Sequence, residues 1–177
     1  MYKQIETGTI EKGKIQQVFA CIYAPEAKPY INYDPMPELK DVNVPLVLMS
    51  MRWDGTIGFP GGHTDGQDLQ TALIREMFEE INADAVDARR FEPLATFASD
   101  RHNIHSFSYR VTENEIRRLQ ILSMGAPHFI SENQGCFLTQ IFDDKGKGYS
   151  QLLKNNFCAT ARMELELLVS SKGLLNK

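Results

Sequence analysis

Gly58-Phe59-Pro60-Gly61-Gly62-His63-Thr64-Asp65-Gly66-Gln67-Asp68 leads into Leu69-Gln70-Thr71-Ala72-Leu73-Ile74-Arg75-Glu76-Met77-Phe78-Glu79-Glu80-Ile81. The first part is a glycine-rich turn and the second reads as a helix. Asp65 or Asp68 can cap the helix N-terminus, and Asn82 suits a left-handed stop after Ile81. Glu76, Glu79 and Glu80 stand at i, i+3 and i+4, so all three project from one side. Carboxylates at those spacings repel unless a positive charge lies among them. A hard divalent cation answers that need, because Mg²⁺ takes oxygen ligands and is commonly held by carboxylates together with substrate phosphates. Arg75 flanks the acidic face and can orient one carboxylate. Ile74, Met77, Phe78 and Ile81 make the expected core stripe. Gly61 and Gly62 allow close backbone approach, which brings a main-chain carbonyl within reach of the same metal.

The chain has 177 residues, 42% of them hydrophobic and 24% charged, as expected of one folded domain over residues 1–177. A net charge of −4 supplies no general basic field for duplex nucleic acid. Arg89-Arg90, Arg117-Arg118 and Lys145, Lys147 and Lys154 are the basic clusters, and such clusters are commonly solvated faces. Cys21, Cys136 and Cys158 are widely spaced, which argues against a disulfide framework or zinc site and for a reducing, cytoplasmic setting, or a nuclear one. No apolar run has the length of a membrane span.

Outside the turn and helix, residues 1–14 form an arm or a leading strand, and 17–23 a strand. Residues 24–43 carry Pro25, Pro29, Pro35 and Pro37 and read as a long loop. Residues 44–52 form a central strand, 91–99 and 104–111 two more. Thr112 and Glu115 fit a capping box on a helix over 112–122. A last strand spans 135–142, followed by a mobile loop over 143–148. An amphipathic helix starts at Ser150 or Asn155 and runs to about Ser170. Strands and helices alternating in this way predict an α/β protein with a mixed sheet.

The turn and helix resemble the Nudix box, Gly, five residues, Glu, seven residues, Arg-Glu-apolar-x-Glu-Glu-x-Gly-apolar. Here the pattern runs from Gly61 through Gln67 to Arg75-Glu76-Met77 and Glu79-Glu80, with Gln67 in place of the first glutamate and Asn82 in place of the last glycine. Tyr23-Ala24-Pro25, Met51-Arg52-Trp53-Asp54-Gly55, Phe59-Pro60-Gly61-Gly62 and Asn155-Asn156-Phe157 are similar to one branch, that of the U8 snoRNA-decapping enzymes, which also hydrolyse inosine diphosphate. The resemblance implies an α/β/α sandwich with a mixed sheet, a homodimer, and Mg²⁺- or Mn²⁺-dependent cleavage of a phosphoanhydride bond.

It implies Gly61, Glu76, Glu79 and Glu80 as the metal site, with the carboxylates also catalytic. Arg52 and Phe59 match its substrate contacts. Phe19 and Glu164 stand where the branch carries a histidine and a glutamine that touch the base. Glu132, three residues before the last strand, is a further catalytic candidate, and a plain surface glutamate is the alternative. The expected substrate is a small nucleotide in which a nucleoside diphosphate is linked to a further group. A capped RNA, or nucleotide binding without turnover, stands as the alternative.

Overall fold

The computed structural model describes residues 1–29, 42–144 and 146–175. Most of the proline-rich loop, and Lys145, lie outside them. Among the described residues there are ten strands: β1 (Lys3–Ile5), β2 (Ile15–Ala24), β3 (Leu46–Arg52), β4 (Ile57–Gly58), β5 (Gly61–His63), β6 (Phe91–Ala98), β7 (His102–Arg110), β8 (Asn133–Gln140), β9 (Asp143–Asp144) and β10 (Lys147–Gly148). The helices are α1 (Leu69–Ile81), α2 (Glu113–Leu122), α3 (Tyr149–Leu152) and α4 (Ala161–Ser171).

Eight strands make one mixed sheet in the order β1-β6-β7-β2-β3-β4, with β8 also on β3 and β5 on β2. β2 and β7 pair in parallel along Ile15–Tyr23, and the other pairings are antiparallel. The long strand β2 serves two partners. Its start pairs with β5, which sets Phe19 opposite Gly61, while Tyr23 and Ala24 pair with β3.

Period-two alternation divides β2 between two cores. Val18, Ala20, Ile22 and Ala24 pack with Leu73, Met77 and Ile81 of α1 and Ile116 of α2. Cys21 and Tyr23 face the other way, with Val47 and Met49, against Leu165, Leu168 and Val169 of α4. Helices therefore cover both faces of the sheet, which is the expected α/β/α arrangement.

Asp68 caps α1 by accepting from the amides of Gln70 and Thr71, and Asn82 ends it at φ 54°, ψ 36°. Thr112 and Glu115 form the expected capping box on α2. Three expectations need correction. Phe78 is 45% exposed and does not join the core stripe. Asp143–Asp144 and Lys147–Gly148 pair as the short antiparallel strands β9 and β10, where a loop is expected. The closing helix begins at Ala161: after the single turn of α3 the chain runs through turns, and Phe157 bridges to Ile57.

Candidate active site

The β5 turn and the acidic face of α1 meet at two glycines. Gly61 has φ 144°, and a Cβ there would lie 2.1 Å from the Val18 carbonyl oxygen. A Cβ on Gly62 would lie 2.7 Å from Glu76 Oε1. Gly61 therefore holds backbone where no side chain fits, while a side chain at Gly62 would displace the Glu76 carboxylate. The Gly61 amide donates to Glu80 Oε2 at 2.8 Å, so the turn is tied directly to the helix.

Glu76 and Glu80 are 5% and 3% exposed. Burial raises the Glu80 carboxyl to about 8, against the opposing pull of the Gly61 hydrogen bond, and the charges of Glu76 and Glu132 push the same way. Burial also raises Glu76, although the adjacent Arg75 charge lowers it. Glu79 is half-buried and turned to Arg75, whose guanidinium donates to its Oε2 at 2.6 Å.

Arg75 ties together the turn and two carboxylates of the acidic face, Glu76 and Glu79. It reaches the His63 carbonyl at 2.6 Å, Glu76 Oε1 at 3.0 Å and Asp65 Oδ2 at 3.2 Å. Its Nε donates to Gln67 Oε1 at 3.0 Å, so the amide at the box's usual glutamate position fills an acceptor's role. Glu132 is largely exposed, with His128 Nδ1 3.0 Å from its Oε1 but not aligned for a hydrogen bond. The loop bearing both is joined to α1 by the His128 amide donating to the Glu79 carbonyl at 2.8 Å.

An open cleft of about 530 Å³ lies over the two glycines, lined among others by Phe19, Arg52, Trp53, His63 and Glu132. A narrow crevice adjoins it, lined by Phe59 and Glu164 and sharing Phe19, Arg52, Cys158 and Ala159 with the cleft. The expected site residues thus fall into two groups, the carboxylates of α1 and the Phe19, Arg52, Phe59 and Glu164 set, joined by the Gly61–Gly62 turn. Arg52 Nε is buried there with no hydrogen-bond partner. Glu164 is 1% exposed and accepts from the Thr160 hydroxyl at 2.6 Å. Burial pushes it up to about 7, with the Thr160 and Ser106 hydroxyls opposing. Phe59 is 2% exposed and packs in the α4-side core, so only its edge reaches the crevice.

Among the described residues, no three His, Cys, Asp or Glu side chains converge as a preformed metal cluster. The donor chemistry nevertheless suits a hard divalent cation. Three carboxylates share one helix face, and two of them are buried so far that their charged forms are disfavoured without a cation nearby. Glu79 would have to exchange Arg75 for the metal. Trp53 also lines the cleft, and it is not among the expected site residues. Its signal was a lone tryptophan beside Arg52 in a turn, where an aromatic has no core to join. Among the described residues no helix is long and apolar enough to cross a membrane.

Comparison with known proteins bears on the same region. A family described as "Nudt16-like: U8 snoRNA-decapping enzyme-like" matches residues 16–175. The sheep U8 snoRNA-decapping enzyme is 33% identical over 157 residues, covering 81% of this chain and 79% of that protein. The crystal structure of a mutT/nudix family protein from Listeria innocua superposes with a TM-score of 0.59 at 12% identity, covering 92% of this chain and 96% of that one. A C. elegans Ap4A hydrolase gives a TM-score of 0.54 at 14% identity, over 90% and 98% of the two chains. At those identities the two structures establish a shared fold.

Proposed function

The chain belongs to the Nudt16-like branch of the Nudix hydrolases, and from that premise we propose that it is a Mg²⁺- or Mn²⁺-dependent pyrophosphohydrolase acting on a nucleoside diphosphate linked to a further group. The observation that carries the proposal is the tie between Gly61 and Glu80 beneath the cleft, with Glu76 and Glu79 on the same helix face and Arg52 above. Glu76, Glu79 and Glu80, with the Gly61 carbonyl, would hold the metal. When bound, the cation neutralises phosphate oxygens and acidifies an attacking water.

The residues of the chain do the rest. Arg75 pairs with Glu76 and Glu79 and would balance their charge until a cation is bound. The unpartnered guanidinium edge of Arg52 suits a phosphate oxygen, since arginine matches that geometry with paired donors. Glu132 lines the cleft and its charge adds to the rise of the Glu76 and Glu80 carboxyls, which suits a group that accepts a proton from the attacking water. Phe19, the edge of Phe59 and Glu164 would receive the base. A neutral Glu164 carboxyl can both donate and accept there, which a glutamine also does.

A small nucleotide is the primary substrate reading. The similarity to the sheep decapping enzyme supports a capped RNA as the second. The homodimer belongs to the same proposal and is read by sedimentation. The test is product formation from inosine and guanosine di- and triphosphates, ADP-ribose, dinucleotides and a capped RNA, with and without Mg²⁺ or Mn²⁺. Metal-dependent release of a nucleoside monophosphate is expected. Tight nucleotide binding with no turnover in any lane would replace the enzyme reading with that of a binding protein.

A further inference from the structure

Trp53 is the one tryptophan of the chain, and it stands 56% exposed at the rim of the cleft. It is also held in place. The Arg52 amide donates to the Thr56 carbonyl at 2.9 Å and the Gly55 amide to the Arg52 carbonyl at 3.1 Å, closing the turn that carries it. Asp54 Oδ1 fixes the same turn by accepting from the Thr56 amide and hydroxyl at 2.9 and 2.7 Å. The indole N–H donates to the Ile130 carbonyl at 2.6 Å. With its single donor used, the indole has only its apolar π-faces left to offer a ligand.

The anchor is itself unusual. Ile130 has φ 76°, a conformation that a β-branched residue adopts only under constraint, and its side chain is 66% exposed. Core packing does not account for that backbone. The Ile130 amide bonds back to the Asn133 carbonyl at 3.2 Å, and two residues earlier His128 ties the loop to Glu79 of α1. An exposed aromatic ring is thus fixed, through one short strained loop, to the helix that bears the candidate metal carboxylates.

We propose that Trp53 is a stacking platform for a second nucleobase, on the far side of the phosphate chain from the crevice of Phe59 and Glu164. This rests on the pyrophosphohydrolase reading. Arg52, shared by crevice and cleft, lies between the two ends and would hold the phosphates. The ligand is then two nucleosides joined through their 5′ phosphates. That chemistry occurs in a free dinucleoside polyphosphate and at the capped 5′ end of an RNA. A ring face reads neither source's sequence, because every base has a π-face.

As the only tryptophan, Trp53 reports its own occupancy. Fluorescence titrations in EDTA would use GDP, guanosine-(5′)-triphospho-(5′)-guanosine, a short capped RNA and the same RNA with a 5′ triphosphate. Calorimetry would give the affinities of Trp53→Leu and Trp53→Phe. The dinucleoside triphosphate is expected to quench the indole and to bind about 10- to 100-fold more tightly than GDP. Trp53→Leu should lose that increment and leave GDP binding unchanged, while Trp53→Phe keeps most of it. Further tightening by the capped RNA over the dinucleotide assigns the source to RNA, and equal affinities assign it to the free dinucleotide. Equal affinity for GDP and the dinucleotide, or an increment that survives in Trp53→Leu, overturns the platform while leaving the hydrolase reading standing. Failure of every nucleotide to bind in EDTA would overturn the platform alone, because the hydrolase reading assigns phosphate binding to the cation and is judged by the turnover panel.

Discussion

The Gly61 amide and the Glu80 carboxylate are joined by a 2.8 Å hydrogen bond across the junction between turn and helix. The bond requires the β5 backbone to lie against β2 and against the buried end of Glu80 at once. That double contact makes the two adjacent glycines unequal.

Gly61→Ala drives a Cβ into the backbone of Val18 and Phe19, at 2.1 and 2.7 Å. Neither contact can rotate away, so the substitution should cost on the order of 3 kcal/mol and roughly 6–12 °C in Tm. Gly62→Ala meets only the carboxylate tip of Glu76, at 2.7 Å. It should lose about 1 kcal/mol or less, yet displace Glu76 and lower kcat at least about tenfold. Thermal denaturation of both variants beside steady-state rates separates the two effects.

Gln67→Glu restores the usual residue of the box. Because Gln67 Oε1 already accepts from Arg75 Nε at 3.0 Å, activity should stay within about threefold. Arg75→Ala, by contrast, leaves Glu76 and Glu79 without their counterion. A loss of about 1–2 kcal/mol and a fall in kcat/KM of at least about tenfold are expected. A rate for Arg75→Ala equal to that of the parent would remove Arg75 from the account.

Glu164 gives stability a pH dependence of definite sign. Its folded pKa of about 7 lies above the ordinary carboxylate value of 4.5. Between those values the folded state holds a proton that the unfolded state has released, so its contribution falls as pH rises from 4.5 to 7, and the loss is complete above 7. Glu164→Gln removes the ionisation and keeps an acceptor for the Thr160 hydroxyl. Its Tm should match the parent's near pH 4 and exceed it at pH 8, read by calorimetry across that range.

Glu115 acts in the opposite sense. Hydrogen bonds from the Arg90 guanidinium and the Thr112 amide hold its carboxyl at about 2, below the ordinary 4.5. The stability it confers is present above pH 4.5 and is lost as pH falls toward 2. Glu115→Gln should match the parent near pH 2 and melt lower at pH 7, by a small margin because the group is partly exposed to solvent.

Local chemistry made much of this protein legible. Asp68, Asn82 and the Thr112–Glu115 pair act within a few residues of themselves, and each forms the expected cap. Phe78 was misread because periodicity fixes the angle between residues and leaves open which arc faces inward. Here Glu76 and Glu80 turn in toward the glycine backbone, so the buried arc rotates toward them and Phe78 is left at its outer edge. The start of α4 was hidden because Asn156, Phe157 and Cys158 are pinned to Ile57, about a hundred positions away in the chain, which keeps them out of the helix. The carboxylates were found by spacing, and Phe19, Arg52, Phe59 and Glu164 by resemblance. That these four share a crevice beside the glycine turn required the split pairing of β2, a long-range fact. Trp53 was passed over because a turn residue gives no periodic signal.

The most direct test of the central claim is Glu80→Gln, measured for both stability and turnover without and with Mg²⁺. Glutamine can keep the Gly61 hydrogen bond while removing a buried charge, so the metal-free variant should melt at a higher temperature than the parent. On the best substrate of the nucleotide panel its kcat should fall by about 10²–10⁴-fold, and its Tm should no longer rise on adding Mg²⁺. A variant that hydrolyses that substrate at the parental rate, with the same Mg²⁺ dependence, would contradict the assignment of the α1 carboxylates as the metal-dependent catalytic centre.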